Sequence, residues 1–122
     1  MAQHNELGKL GEDYACSYLQ LNGYVIVERD WKLAHKDLDV IALDGKQLVF
    51  IEVKTRATSD FGSPLEAITA QKMKNIVSCA DVYCRQKSFR GNARFDVISL
   101  VGYKPPFQLE HIKDAFNAAN CL

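Results

Sequence analysis

The stretch "KDLDVIALDGKQLVFIEVKTR", residues 36–56, constrains the fold more than any other part of the chain. Two segments of strand character flank "DGK", which is a hairpin turn signal. Strand side chains alternate between faces, so Asp37, Asp39, Ile41 and Leu43 share one face of the first segment. Glu52 and Lys54 share one face of the second. Two registers are open. With Gly45 and Lys46 in the turn, Asp44 pairs with Gln47 and Asp39 lies opposite Glu52. With Asp44 and Gly45 in the turn, Asp39 faces Phe50 and Glu52 is one diagonal away. Both place Asp39, Glu52 and Lys54 on one face. A three-residue loop without a bulge separates them.

Two carboxylates this close repel each other unless a divalent cation lies between them. Mg²⁺ takes hard oxygen ligands and keeps several waters, so two carboxylates plus phosphate oxygens make a suitable set. Such a metal activates a water and neutralises charge on a phosphodiester. Lys54 would add an ammonium beside the phosphate or help deprotonate the water. The competing reading of the same residues is a salt bridge at a strand end emerging into solvent. Spacing alone leaves both open.

The rest of the chain supplies helices and further strands. Leu7, Leu10, Tyr14, Tyr18 and Leu21 recur at helical spacing, and Gly23 ends that helix. At 100° per residue, Glu12 falls at the edge of the apolar arc beside Gly8, Ala15 and Leu19. "YVIVERDW" is strand-like. "SDFGSP" reads as a loop, with Pro64 in the first turn of a helix that runs to about Gln86. Lys72 falls inside the apolar arc of that helix, between Ile68 and Ile76. It either snorkels to the surface or reaches toward an anionic site. "ARFDVISLV" is a strand, "YKPPF" breaks the chain, and "LEHIKDAFNAA" reads as a short terminal helix. The expected order is α-β-β-β-α-β-(α), an α/β fold with a mixed central sheet flanked by helices.

Composition narrows the function classes. The 122 residues suit a single domain spanning 1–122, and 48% hydrophobic with 25% charged residues is ordinary for a soluble globular chain. No apolar run approaches the roughly 20 residues of a membrane helix, and "MAQHNELGKLGEDYA" holds no apolar signal core, so the expected location is the cytoplasm. Cys16, Cys79, Cys84 and Cys121 form no Cys-x-x-Cys pair, which argues for free thiols over zinc. Net charge is zero, but residues 1–55 carry 6 basic against 9 acidic groups, and residues 56–122 carry 9 against 6. Arg85, Lys87, Arg90 and Arg94 form a local basic stretch, read either as a solvated loop or as a track for phosphates. His4, His35 and His111 read as surface residues. No Ser-His-Asp or Cys-His arrangement and no nucleotide-binding glycine loop is recognisable.

"GKLGEDYA", "LDVIA", "FIEVKTR", "FGSPLEAIT", "QKMKNI" and "ARFDVI" resemble, in this order, the YraN family of bacterial proteins over residues 8–101. That family in turn resembles Holliday-junction resolvases and the restriction-endonuclease-like nucleases. The resemblance implies a restriction-endonuclease-like α-β-β-β-α-β core. It implies Asp39 and Glu52 as ligands of Mg²⁺ or Mn²⁺, with Glu12, Asp39, Glu52 and Lys54 as catalytic residues. One departure stands in "KDLD". Lys36 and Asp37 replace the glycine and glutamate usual in that family, while Asp39 is retained.

Three functions follow as expectations. The first is a metal-dependent endonuclease acting on DNA, branched DNA among its substrates, with Lys72 and Arg56 contacting nucleic acid. The second is a noncatalytic nucleic-acid-binding module of the same fold. The third is a protein-interaction partner with a structural charged face. DNA and, in a homodimer, a second copy of the chain are the expected partners; a membrane is not.

Overall fold

The computed structural model describes residues 2–58 and 62–117. Helix α1 (Ala2–Leu21) leads into an antiparallel meander of β1 (Val25–Leu33), β2 (Lys36–Asp44) and β3 (Gln47–Arg56). A 3₁₀ turn (Leu65–Ala67) and helix α2 (Ala70–Gln86) carry the chain to β4 (Ala93–Val101), which lies parallel to β3. Strand β5 (Gln108–Phe116) closes one edge, and the sheet order is β1-β2-β3-β4-β5. The architecture is therefore α/β with a five-stranded mixed sheet, matching the expected order up to β4.

The β2–β3 turn settles the register. Asp44 pairs with Gln47 and Val40 with Ile51, so Gly45 and Lys46 make the turn and Asp39 continues the register toward Glu52. Gly45 takes a φ of 63°, which a two-residue hairpin turn of this kind requires.

Each helix covers one face of the sheet. Ala15, Cys16 and Leu19 of α1 pack on Val40, Ala42, Val49, Ile51, Ile98 and Leu100. Ile76, Cys79, Ala80 and Tyr83 of α2 pack on Ile41, Leu48, Phe50, Phe95 and Val97. β3 and β4 are buried on both faces, as a parallel pair under helices must be. Gly11 permits the close approach of α1: a Cβ there would lie 1.9 Å from Thr55 Oγ1 on β3.

Two expectations are corrected. The segment starting at Pro64 is not one helix. Pro64 opens a 3₁₀ turn, Ile68 is extended, and α2 starts afresh with Thr69, whose side chain accepts from the Lys72 N–H. Residues 109–117 form no helix either. Residues 109–116 belong to β5, paired with β4 from Val101–Gln108 to Phe95–Phe116. Leu, Glu, Lys and Ala favour a helix locally, and the register shift between Phe95 and Val97 hides the period of two. The unpaired edge of β4 overrides that local preference. Residues 118 and 119 of the expected helix lie outside the described residues, as does Cys121.

Candidate metal and phosphate site

Pairing of β2 with β3 runs from the turn to Val40–Ile51, whereas β1 and β2 stay paired to Leu33–Lys36. A gap therefore opens between β2 and β3, and Asp39 stands in it. Its Oδ2 accepts the Val53 N–H at 2.9 Å, taking the place of a ladder bond. Leu38 and Ile41 both reach the α2-side core, so strict alternation is broken around Asp39. Around that break Asp39 neighbours Glu52 as well as Glu12 and Asp30.

On the α2 side, Glu52 meets Asp39. Glu52 is 8% exposed and its Oε1 is buried with no hydrogen-bond partner among the described residues. Burial, then the Asp39 charge, pushes the Glu52 carboxyl well above its ordinary range. Burial also raises Asp39, against the pull of the Val53 N–H. Lys72 of α2 lies 3.8 Å from Glu52 Oε2 and 3.7 Å from Asp37 Oδ1. Burial pulls the Lys72 ammonium down, but Glu52, Asp39 and Asp37 outweigh it and leave it raised. Lys72 thus points toward the acids, which explains a lysine within an apolar arc. Asp37 also holds Lys32 at 3.3 Å and so joins the site's rim.

On the α1 side, Glu12, Asp30 and Asp39 bring carboxylate oxygens within 4.8 Å of one another. Arg29 donates from Nε and Nη2 to Glu12 Oε1, both at 3.1 Å, and from Nη2 to Asp13 Oδ1 at 2.6 Å. Burial lifts Glu12 to about 7 against the lowering effect of Arg29, and Asp30 and Asp39 add to the rise. The sequence reading passed over Asp30. It sits in β1 between Arg29–Val40 and Trp31–Leu38 with a φ of 50°, a conformation that aspartate tolerates better than most residues. An aspartate in a segment otherwise suited to a strand was the signal available.

Lys54 is exposed on β3, in register with Ser99 of β4, and pairs with neither Asp39 nor Glu52 among the described residues. Arg56 follows on the same strand, and its Nη2 donates to the Gly62 carbonyl at 3.3 Å. The expected basic track is thinned by internal pairing. Arg85 bonds Asp81, and Lys87 lies 3.8 Å from Glu28. Arg94 is engaged by Asp96, Asp44 and Tyr24. His111 is likewise no surface residue. Its side chain is 4% exposed, with Nε2 2.7 Å from Asp96.

Asp39 and Glu52 offer only hard oxygen donors, and Glu52 Oε1 is a buried acceptor with no hydrogen-bond donor among the described residues. That donor set fits Mg²⁺ or Mn²⁺ and suits neither a soft metal nor an empty apolar core. No helix among the described residues is long and apolar enough to cross a membrane.

A family model described as "Uncharacterised protein family UPF0102" matches residues 11–100. A UPF0102 protein of Phocaeicola vulgatus is 47% identical over 116 residues, covering 95% of this chain and 96% of the relative. UPF0102 protein BF0634 of Bacteroides fragilis is 44% identical over 116 residues, with the same 95% and 96% coverage. A UPF0102 protein of Flavobacterium johnsoniae is 40% identical over 120 residues, covering 95% of this chain and 98% of the relative. Glu12, Asp30, Asp39, Glu52 and Lys72 all lie within the matched residues, and the chain belongs to the UPF0102 family, to which the YraN resemblance pointed.

Proposed function

We propose that the chain is a divalent-cation-dependent endonuclease that hydrolyses DNA phosphodiester bonds, with branched DNA among its substrates, and that it acts in the cytoplasm. The observation that carries this reading is Glu52. A carboxylate buried beside Asp39, with one oxygen unmatched among the described residues, needs a cation to be stable in its charged form. Asp39 and Glu52 would hold Mg²⁺ or Mn²⁺, which supplies Lewis acidity and lowers the pKa of a bound water.

The chain's own residues account for the rest. Val53 N–H fixes Asp39 in the gap between the strands, so the carboxylate is oriented before any ligand arrives. Arg29 does the same for Glu12, the accessory carboxylate. Lys72 offsets the negative charge of the acids, and Lys54 offers an exposed ammonium to a phosphate approaching along β3. The free thiols of Cys16, Cys79 and Cys84 agree with a reducing compartment.

The internally paired Arg85, Lys87 and Arg94 favour a second reading, a binding module without catalysis, because few cations remain for phosphates. Cleavage separates the two. Labelled four-way junctions and linear duplexes are incubated with the protein in Mn²⁺ or in EDTA. The nuclease reading expects nicked products with metal only, abolished in Asp39→Asn and in Glu52→Gln. Salt-sensitive binding with no product from any substrate leaves the binding module.

A further inference from the structure

Beyond the carboxylate cleft lies a second polar feature. Arg56 lines a cavity of about 310 Å³, together with Gly62, Pro64, Ser99, Gln108 and Glu110. That volume lies at the lower end of the roughly 300–1,000 Å³ typical of ligand pockets. The Gly62 carbonyl engages only Nη2 of the guanidinium. Nε and Nη1 are buried and have no hydrogen-bond partner among the described residues. Arginine cannot shed its proton in a protein, so these donors cannot be silenced by neutralisation. Buried polar groups are almost always matched, and a mismatch marks a strained site or an absent partner. Glu110 borders the same cavity but forms no ion pair with Arg56 among the described residues.

We infer that this cavity is an anion site that takes a phosphate group, and that the phosphate belongs to a nucleic-acid backbone. Phosphate offers both the charge and the several acceptor oxygens that Nε and Nη1 lack. The buried Ser99 stands beside Lys54 in the β3–β4 register, so its hydroxyl and the guanidinium border one space. The backbone assignment rests on the nuclease reading of the cleft and comes from the layout of β3. Glu52, Lys54 and Arg56 alternate along one strand and therefore share a face. Four residues at about 3.3 Å each separate Glu52 from Arg56 by about 13 Å. Four base pairs of duplex, at about 3.4 Å each, cover the same length. A strand cut at the carboxylates would thus present a phosphate a few nucleotides from the cut to Arg56, with Lys54 between.

The test uses the full chain without metal, so that it does not depend on catalysis. Inorganic phosphate is titrated against ¹⁵N-labelled protein at constant ionic strength set with chloride. Saturable shifts of the Gly62 and Ser99 amides are expected. They should weaken at least about tenfold in Arg56→Leu, a factor worth 1.4 kcal/mol, and weaken less in Arg56→Lys, which keeps the charge and guards against a misfolded leucine variant. Glu110→Gln should tighten binding, since it removes a like charge from the cavity. A short DNA strand should then displace the phosphate. No shift at Gly62 and Ser99, or equal shifts in wild type and both Arg56 variants, would overturn the anion site. Phosphate binding that DNA does not displace would overturn the backbone assignment. Displacement by DNA in a protein that never cleaves supports this site while sinking the nuclease reading alone.

Discussion

Glu52 and Asp96 make an instructive pair. Both are buried acids on neighbouring central strands, β3 and β4, and they belong to opposite faces of the sheet. Asp96 is fully matched. Arg94 donates to both of its oxygens, His111 Nε2 donates to Oδ2 at 2.7 Å, and the Asp114 N–H reaches Oδ1 at 3.0 Å. Asp114 can do so because β5 bulges there with a φ of 53°. Burial alone would raise the Asp96 carboxyl, but the bonds from His111, Arg94 and Asp114 more than reverse it and hold it below its ordinary range. Glu52 has Lys72 at 3.8 Å and an Oε1 without a partner among the described residues, and burial leaves it raised. The difference teaches how to separate a carboxylate that holds the fold from one kept ready for a ligand. Burial is common to both; completeness of the donor set is not.

The largest expected effect tests the structural member of the pair. Asp96→Ala leaves Arg94 largely buried with half its acceptors gone, and should cost about 3–5 kcal/mol in urea unfolding. A loss under about 1 kcal/mol would break the comparison, because Asp96 would then be no more structural than Glu52. Its pH dependence has a definite sign. A lowered carboxyl adds stability above its unfolded value of 3.8, and that stability is lost as pH falls through the folded value.

Next comes the packing that places the acids. Gly11→Ala would put a Cβ 1.9 Å from Thr55 Oγ1 and push α1 off β3. We expect a cost of about 1–3 kcal/mol. Glu12, the next residue, should lose its approach to Asp39. A Gly11→Ala protein with an unchanged melting temperature would show that charge pairing to Arg29, not packing, seats this end of the helix.

Glu52→Gln should have the opposite sign from Asp96→Ala. A carboxyl raised from 4.5 to about 8 binds its proton more tightly in the folded state, so wild-type stability falls as pH rises between those values. Glutamine does not titrate. The variant should therefore gain on wild type across that window by at least about 1.4 kcal/mol, the worth of a single unit of pKa difference. Mg²⁺ or Mn²⁺ should restore the wild type and leave the variant unmoved, through preferential binding to the folded state. Thermal melts at pH 5 and pH 8, with and without metal, measure both. A variant less stable than wild type at pH 8 would place Glu52 with Asp96.

The smallest effect is expected at Lys72. Lys72→Met removes the cation 3.8 Å from Glu52, so the Glu52 titration should move further up in ¹³C carboxylate spectra, with little change in stability. An unmoved titration would return Lys72 to a snorkelling stem.

The carboxylate pair was legible because a hairpin is a local object. The turn at Gly45–Lys46 sets the register, and the register places Asp39 toward Glu52 with no help from the remaining chain. Lys72 was legible for a similar reason, as a charge out of place on a helix whose period could be counted. Asp30 was not, because its part depends on a positive φ within a strand, which an aspartate permits but does not announce.

The sequence by itself thus determined the β2–β3 hairpin, two helices on a mixed sheet, and the placing of Asp39 and Glu52 on facing strands. Those features rest on periodicity and turn chemistry, which act over a few residues. Only the tertiary structure decided that residues 109–116 form an edge strand, that Arg94 and His111 are locked around Asp96, and that Arg56 is left with donors unmet among the described residues. Each depends on partners far away in the chain: Asp96 and His111 are 15 residues apart, and Arg94 and Asp44 are 50. A local pattern can say that a side chain is polar. Whether its partners arrive is decided by which strands come to lie side by side.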